Sequence, residues 1–120
     1  MTSPIDRMIE PYIDTVQKMK AYDVVALDVR ELTSIADAFI ICEGKSNRQV
    51  SAIGDRIIHA LKKIGIRPIS VEGLAEGRWV LIDYGDVIIH VFYESVRKFY
   101  DIEGLWVDAR RINPVLSQDA

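Results

Sequence analysis

Residues 77–108 read GRWVLIDYGDVIIHVFYESVRKFYDIEGLWVD, and their reading decides the fold. Residues 79–83 and 86–92 are two strand-like runs separated by Tyr84-Gly85. That spacing predicts a hairpin in which Gly85 supplies a positive φ. Ser95 then caps a short helix through Tyr100, which resumes to Trp106. Trp79, Tyr84, Phe92, Tyr93, Phe99, Tyr100 and Trp106 all fall here, including both tryptophans of the chain. Paired strands bury about half of their side chains, so some of these rings are core. The rest form an exposed apolar surface, which a monomer has little reason to keep. Aromatic side chains at the centre of an interface usually carry its binding energy. Partner binding is therefore the first functional expectation, and catalysis the second.

Upstream, Ile5, Met8, Ile9, Tyr12, Ile13, Val16 and Met19 recur at helical steps. Ser3 suits the cap, Pro4 the first helical position and Asp6 the positive end of the dipole. Pro11 inside this pattern predicts a kink or a later start. Residues 24–29 (VVALDV) read as a strand, and Thr33, Ser34 and Asp37 mark a loop. Residues 38–42 (AFIIC) are apolar on both faces, hence a central strand. Ser46 and Gln49 have capping-box spacing. The helix they open carries Val50, Ile53, Ile57, Leu61 and Ile64 on one face and ends at Gly65. Residues 68–72 read as a third strand. Strand, helix and strand in this order imply a parallel pair joined by a right-handed crossover. Residues 110–120 contain Pro114 and little periodicity, which predicts a mobile tail after a domain spanning 1–109.

At 120 residues the chain is one domain, long enough to bury a core without staples. A net charge of −3, with no basic block, predicts little or no direct nucleic-acid binding. A basic protein is the more natural partner. Cys42, the single cysteine, rules out an intramolecular disulfide or a multi-cysteine zinc site. It also fits a reducing compartment, here the cytoplasm. No run of roughly 18 apolar residues exists to span a membrane.

Three chemical readings compete with plainer ones. Gly44-Lys45-Ser46 suggests a phosphate loop, but the position five residues before Gly44 is Phe39, inside a strand. A left-handed turn and a capped helix explain these residues as well. Asp83 and Asp86 flank a turn, three residues apart, whereas paired metal carboxylates sit at alternate positions of one strand. Aspartates beside a tight turn usually accept its backbone hydrogen bonds. His90 alternates with Ile88 and Phe92, as a core or interface histidine would. Cys42 could pair with it as nucleophile and base, but Cys42 ends a buried strand. No cofactor is expected.

Alternation places Val80 and Ile82 on one face of their strand and Trp79, Leu81 and Asp83 on the other. The aliphatic pair is the natural core side. Trp79 is then expected to face a partner, while Leu81 is divided between a partner and a covering C-terminal helix. Tyr100 and Trp106 either dock that helix or extend the patch. Arg97 and Lys98 read as solvated, or paired with Glu94 and Asp101.

An ordered set of motifs runs through these elements. Trp79-x-Leu81-x-Asp83-x-Gly85-Asp86-x-x-x-His90-x-Phe92 is followed by Arg97-x-x-Tyr100-x-x-Glu103-x-Leu105-Trp106. Asp28-Val29-Arg30, Ala36-Asp37-Ala38-Phe39 and Ser46-Asn47-Arg48-Gln49-Val50 precede it in order. This set, over residues 5 to 110, resembles the Iojap/RsfS family of ribosomal silencing factors. Gly104 departs from it, because the family usually has a larger, often basic residue there. The resemblance implies an α/β fold: a single compact domain with a mixed β-sheet flanked by helices, nucleotidyltransferase-like without the catalytic motif. It implies a non-enzymatic repressor of translation that binds the large ribosomal subunit through ribosomal protein L-fourteen and blocks subunit joining. The partner-binding residues expected are Trp79, Leu81, Asp83, Tyr84, Asp86, His90, Tyr100, Leu105 and Trp106. The alternatives are a metal-dependent nucleotidyltransferase-like enzyme and a homodimer formed through the same patch.

Overall fold

A computed structural model of the chain describes residues 4–112. They form α1 (Pro4–Lys18), β1 (Tyr22–Asp28), β2 (Ala38–Gly44), α2 (Asn47–Lys63), β3 (Ser70–Glu72), β4 (Trp79–Asp83), β5 (Val87–Tyr93), α3 (Glu94–Tyr100), α4 (Ile102–Leu105) and β6 (Arg110–Ile112). The strands make one sheet in the order β3-β4-β5-β2-β1-β6. Only β2 and β5 pair in parallel; every other neighbouring pair is antiparallel. The expected mixed α/β sheet is thus present, with β2 buried along its whole length near the centre.

The sheet buries both faces, unequally. On one face, Ile5, Ile9, Ile13 and Val16 of α1 and Val50, Ile53, Ile57 and Leu61 of α2 pack on an aliphatic layer. That layer includes Ala38, Ile40, Val80, Ile82, Ile89 and Val91. The other face carries Leu27, Phe39, Ile41, Ile88 and Phe92, roofed by Val96 of α3 and Ile102 of α4. Two long helices thus cover one face, and the seven residues of α3 with the four of α4 cover the other.

Local chemistry sets the ends of these elements. Ser46 Oγ accepts from Gln49 N at 3.0 Å and caps α2. The reciprocal half of the expected box is displaced by one residue, because Gln49 Oε1 accepts from Lys45 N at 2.6 Å. At the other end Gly65, with φ +87°, donates to Lys62 O, and Ile66 donates to Leu61 O, a Schellman closure. The hairpin turns at Gly85, φ +89°, where Asp83 Oδ1 accepts from Gly85 N at 2.7 Å. Asp83 therefore serves the turn as expected, and β5 starts at Val87.

Several expectations are corrected. The strand after α2 is an edge strand paired with β4, and the parallel partner of β2 is β5. α1 begins at Pro4 and continues through Pro11, held by its buried apolar face; Ser3 lies outside the described residues. Gly44 has no positive φ and ends β2. Tyr93, not Ser95, is the N-cap residue of α3, without a side-chain hydrogen bond. Arg110–Ile112 form β6 on β1 and are not tail; the remainder of the expected tail lies outside the described residues.

Candidate functional site

The cross-strand register builds the site from β4 and β5. Trp79 stands opposite Phe92, Leu81 opposite His90 and Asp83 opposite Ile88, all on the face roofed by α3 and α4. The rings interlock there. Trp79 lies 4.8 Å from Phe92 and 5.1 Å from Tyr100, centroid to centroid, and Phe39 meets Trp106 edge-on at 5.4 Å. Trp79, Leu81 and Trp106 are half-buried, each packed on this second core. Trp79 is thus both a packing residue and a rim residue, where sequence alternation alone pointed outward.

His90 is the polar centre of this face. Trp79 Nε1 donates to His90 Nδ1 at 3.1 Å, so the neutral ring carries its proton on Nε2. Burial pulls its pKa down to about 4. Nε2 is buried and has no hydrogen-bond partner among the described residues. Phe39 meets the ring edge-on at 5.3 Å, and the Phe92 ring lies parallel to it at 6.1 Å. Of the two positions expected for His90, core and interface, the structure shows the buried core one, which leaves little of its ring for a partner.

The roof and the turn after it carry the three most exposed large apolar side chains among the described residues, Phe99, Leu105 and Val107. Phe99 is 80% exposed, Leu105 75%, Val107 75% and Tyr100 49%. Phe99 and Val107 were missed as candidates; helical stepping from Val96 and Ile102, the buried roof residues, would have turned them outward. Tyr84 does not belong with them. Its ring packs on Tyr12 of α1 at 5.3 Å, on the opposite face of the sheet, and its buried hydroxyl has no partner among the described residues. Asp86 is exposed at the turn, and its carbonyl accepts from Asp37 N and Ala38 N.

Arg97 anchors the roof. Its side chain is buried, against the expectation of a solvated arginine. Nη1 donates to Glu43 Oε1 at 3.0 Å and to Asp23 O at 2.9 Å. Nε and Nη2 grip both oxygens of Glu103 at 3.0 and 2.8 Å. The paired guanidinium holds the Glu103 carboxyl below the usual carboxylate range. Of the partners expected for Arg97 and Lys98, Glu94 binds Lys45 and Asp101 caps α4 through Gly104 N. Gly104 fits this cap, because a Cβ there would run into the Asp101 carboxylate.

Nucleophilic and metal chemistry find little here. Cys42 Sγ donates to His90 O at 3.7 Å, and burial pushes its thiol up to about 12. Its contact with His90 is to the backbone, so the two are not arranged as nucleophile and base. No group of three or more His, Cys, Asp or Glu residues is placed to hold a metal ion among the described residues. None of the described helices is long and apolar enough to cross a membrane.

The family model described as ribosomal silencing factor during starvation, RsfS, matches residues 2–120. The chain belongs to the RsfS family. It is 44% identical over 90 residues to the ribosomal silencing factor RsfS of Bacillus subtilis, covering 75% of this chain and 76% of that one. It is 41% identical over 102 residues to that of Halalkalibacterium halodurans, covering 85% and 87%. A crystal structure of a Chromobacterium violaceum protein superposes with a TM-score of 0.80 at 38% identity, over 87% of each chain. More distant similarity reaches the chloroplastic protein Iojap of Arabidopsis thaliana, 36% identical over 95 residues, 78% of this chain and 39% of that one. It also reaches a mouse protein named for mitochondrial assembly of the ribosomal large subunit, 25% identical over 101 residues, 82% of this chain and 44% of that one.

Proposed function

We propose that this RsfS-family chain docks on the large ribosomal subunit through ribosomal protein L-fourteen, blocks small-subunit joining by its bulk and so represses translation. The observation that carries the reading is the roof itself. Phe99, Tyr100, Leu105 and Val107 expose apolar side chains, and the Tyr100 ring lies between Phe99, at 5.0 Å, and half-buried Trp79, at 5.1 Å. Large side chains of this kind around a tryptophan are the usual centre of a protein interface. Asp83 and Asp86, at the end of the same hairpin, complement a basic partner. A standard interface takes about 800 Å² from each partner, roughly a ninth of the 7065 Å² this chain exposes. The remainder projects as the obstacle, and no covalent step is required.

Co-sedimentation with purified large subunits on a sucrose gradient, with small subunits as control, tests the reading. Co-migration with large subunits alone is expected. Leu105→Asp together with Phe99→Ser should abolish it with an unchanged melting curve, since both side chains are exposed. Trp79→Ala should weaken binding by about 2 kcal/mol, as hot-spot truncations do. Full retention by the double variant would refute the placement of the interface, and absence of co-migration would refute the docking itself.

A further inference from the structure

On the opposite face of the sheet, the C-terminal turns of α1 and α2 line a groove of about 330 Å³. Its walls are Pro11, Asp14, Thr15, Lys18, Met19, Ala60 and Ile64. The lining itself sets one cation, Lys18, beside one carboxylate, Asp14, and the stretches that supply it, residues 14–20 and 60–67, add Lys20, Lys62, Lys63 and Arg67 and no further carboxylate. All five cations are exposed, and none has an ion-pair partner among the described residues. A chain of net charge −3 thus concentrates positive charge at one place.

Lys20 adds a second, independent observation. It lies two residues past α1 with φ +61°, in the left-handed region where glycine or asparagine is usual. A lysine there costs backbone strain, and it adds an exposed cation next in sequence to Met19, which lines the groove. Lysines at helix ends also complement the helix dipole. That accounts for Lys18, Lys62 and Lys63, but not for Lys20 or Arg67, which lie beyond the helices.

We propose that this groove is a second binding surface, one that takes the phosphate backbone of a folded RNA. Clustered, unpaired cations from separate segments are what neutralising a line of phosphates requires. Charge alone asks for a polyanion; the choice of RNA rests on the ribosomal reading above. The groove and the aromatic roof lie on opposite faces of the sheet, so both can be occupied at once. The prediction from composition, little or no nucleic-acid binding, followed from an overall charge that conceals this local reversal.

The test is a fluorescence titration of a labelled A-form RNA duplex with the full chain over a series of KCl concentrations. Affinity is expected to fall with salt, with a log–log slope approaching about −4.5 if all five cations meet phosphates, at roughly −0.9 each. Lys62→Gln with Lys63→Gln should bind more weakly and lower the slope by about 2. Lys20→Gly should also weaken binding while raising Tm, a combination that a merely structural lysine would not give. Phe99→Ser, an exposed roof substitution that leaves the packed core intact, should bind the duplex like the parent chain. That separates this proposal from the docking reading, which is scored on large-subunit co-sedimentation. No binding at low salt, or equal binding by the Lys62/Lys63 variant, would overturn the proposal. Equal affinity for polyglutamate, lost in the same variants, would overturn it in favour of an acidic protein.

Discussion

Replacing Arg97 with Met should destabilise the chain by about 3 kcal/mol, although arginine is among the residues most often found at a surface. Side-chain exposure is 9% for Arg97 and 11% for Glu43, and the pair spans 3.0 Å. Removing one member of a buried ion pair typically costs about 3–5 kcal/mol, because the other charge stays buried without compensation. Lys45 Nζ, 4.0 Å from Glu43, offsets part of that cost from an exposed position, which favours the lower figure. With a urea m-value of about 1–3 kcal/mol/M, the midpoint should fall by between about 1 and 3 M. Tm should drop by roughly 10 °C for a domain of this size. Arg97→Met combined with Glu43→Leu removes both buried charges, and Glu103, on the roof's edge, turns to solvent. The double variant should lie within about 1 kcal/mol of the parent chain. The acid limb is a second readout. Glu103 has its folded pKa depressed by Arg97, so its contribution is present above the unfolded carboxylate value and lost as pH falls through the folded one. Arg97→Met should therefore flatten the decline in stability below about pH 4.3. A single variant that loses less than about 1 kcal/mol, or a double variant no better than the single, would refute the account of the anchor.

His90 gives a pH signature at milder acidity. Its folded pKa near 4 lies below the ordinary histidine value of 6.5, so the unfolded chain binds the extra proton between these limits. Stability should be complete above about pH 6.5 and fall by up to about 1.4 kcal/mol per unit towards pH 4. Urea titrations at about pH 7 and about pH 5 should show the loss in the parent chain and a clearly smaller one in His90→Gln, which keeps an acceptor within reach of Trp79. Tyr84→Phe removes a buried hydroxyl that has no partner among the described residues. Stability should be unchanged or higher by about 1 kcal/mol in thermal melts. Large-subunit binding should be unaffected, because the ring packs on Tyr12 away from the roof; a binding loss would return Tyr84 to the interface.

Most of the elements were legible because their signals are local. Gly85 with Asp83 fixed the hairpin, the unbroken apolar run at residues 38–42 marked the central strand, and Ser46 and Gly65 bounded α2. Sheet order was not local. The pattern of residues 68–72 announces a strand but says nothing of its neighbour, and β3 pairs with β4 because the hairpin already occupies the side of β2 that it would need. Arg97 misled for a related reason. A cation on a short helix reads as solvated unless its partner is known, and Glu43 lies 54 residues away on β2. Alternation along a strand put Trp79, Leu81 and Asp83 on one face correctly. It had no authority over Tyr84, which belongs to a turn and swings to the other side.

The unequal roofing of the sheet explains why the aromatics crowd residues 77–108. Two long helices bring enough aliphatic side chains to seal one face. The eleven residues of α3 and α4 cannot seal the other, so large rings fill the space that short helices leave. Rings that bridge from the sheet to a small roof are necessarily half-covered, and the roof's outward side chains have nothing above them. Packing need and exposed apolar surface therefore arise from the same shortage of cover. This is why Trp79 is a compromised probe of function: it touches Phe92, His90 and Tyr100 and will report on stability as well as on docking. Phe99 and Leu105, which lie outside the packed core, separate the two. Loss of binding at these positions without loss of stability is the result that would assign the roof a partner.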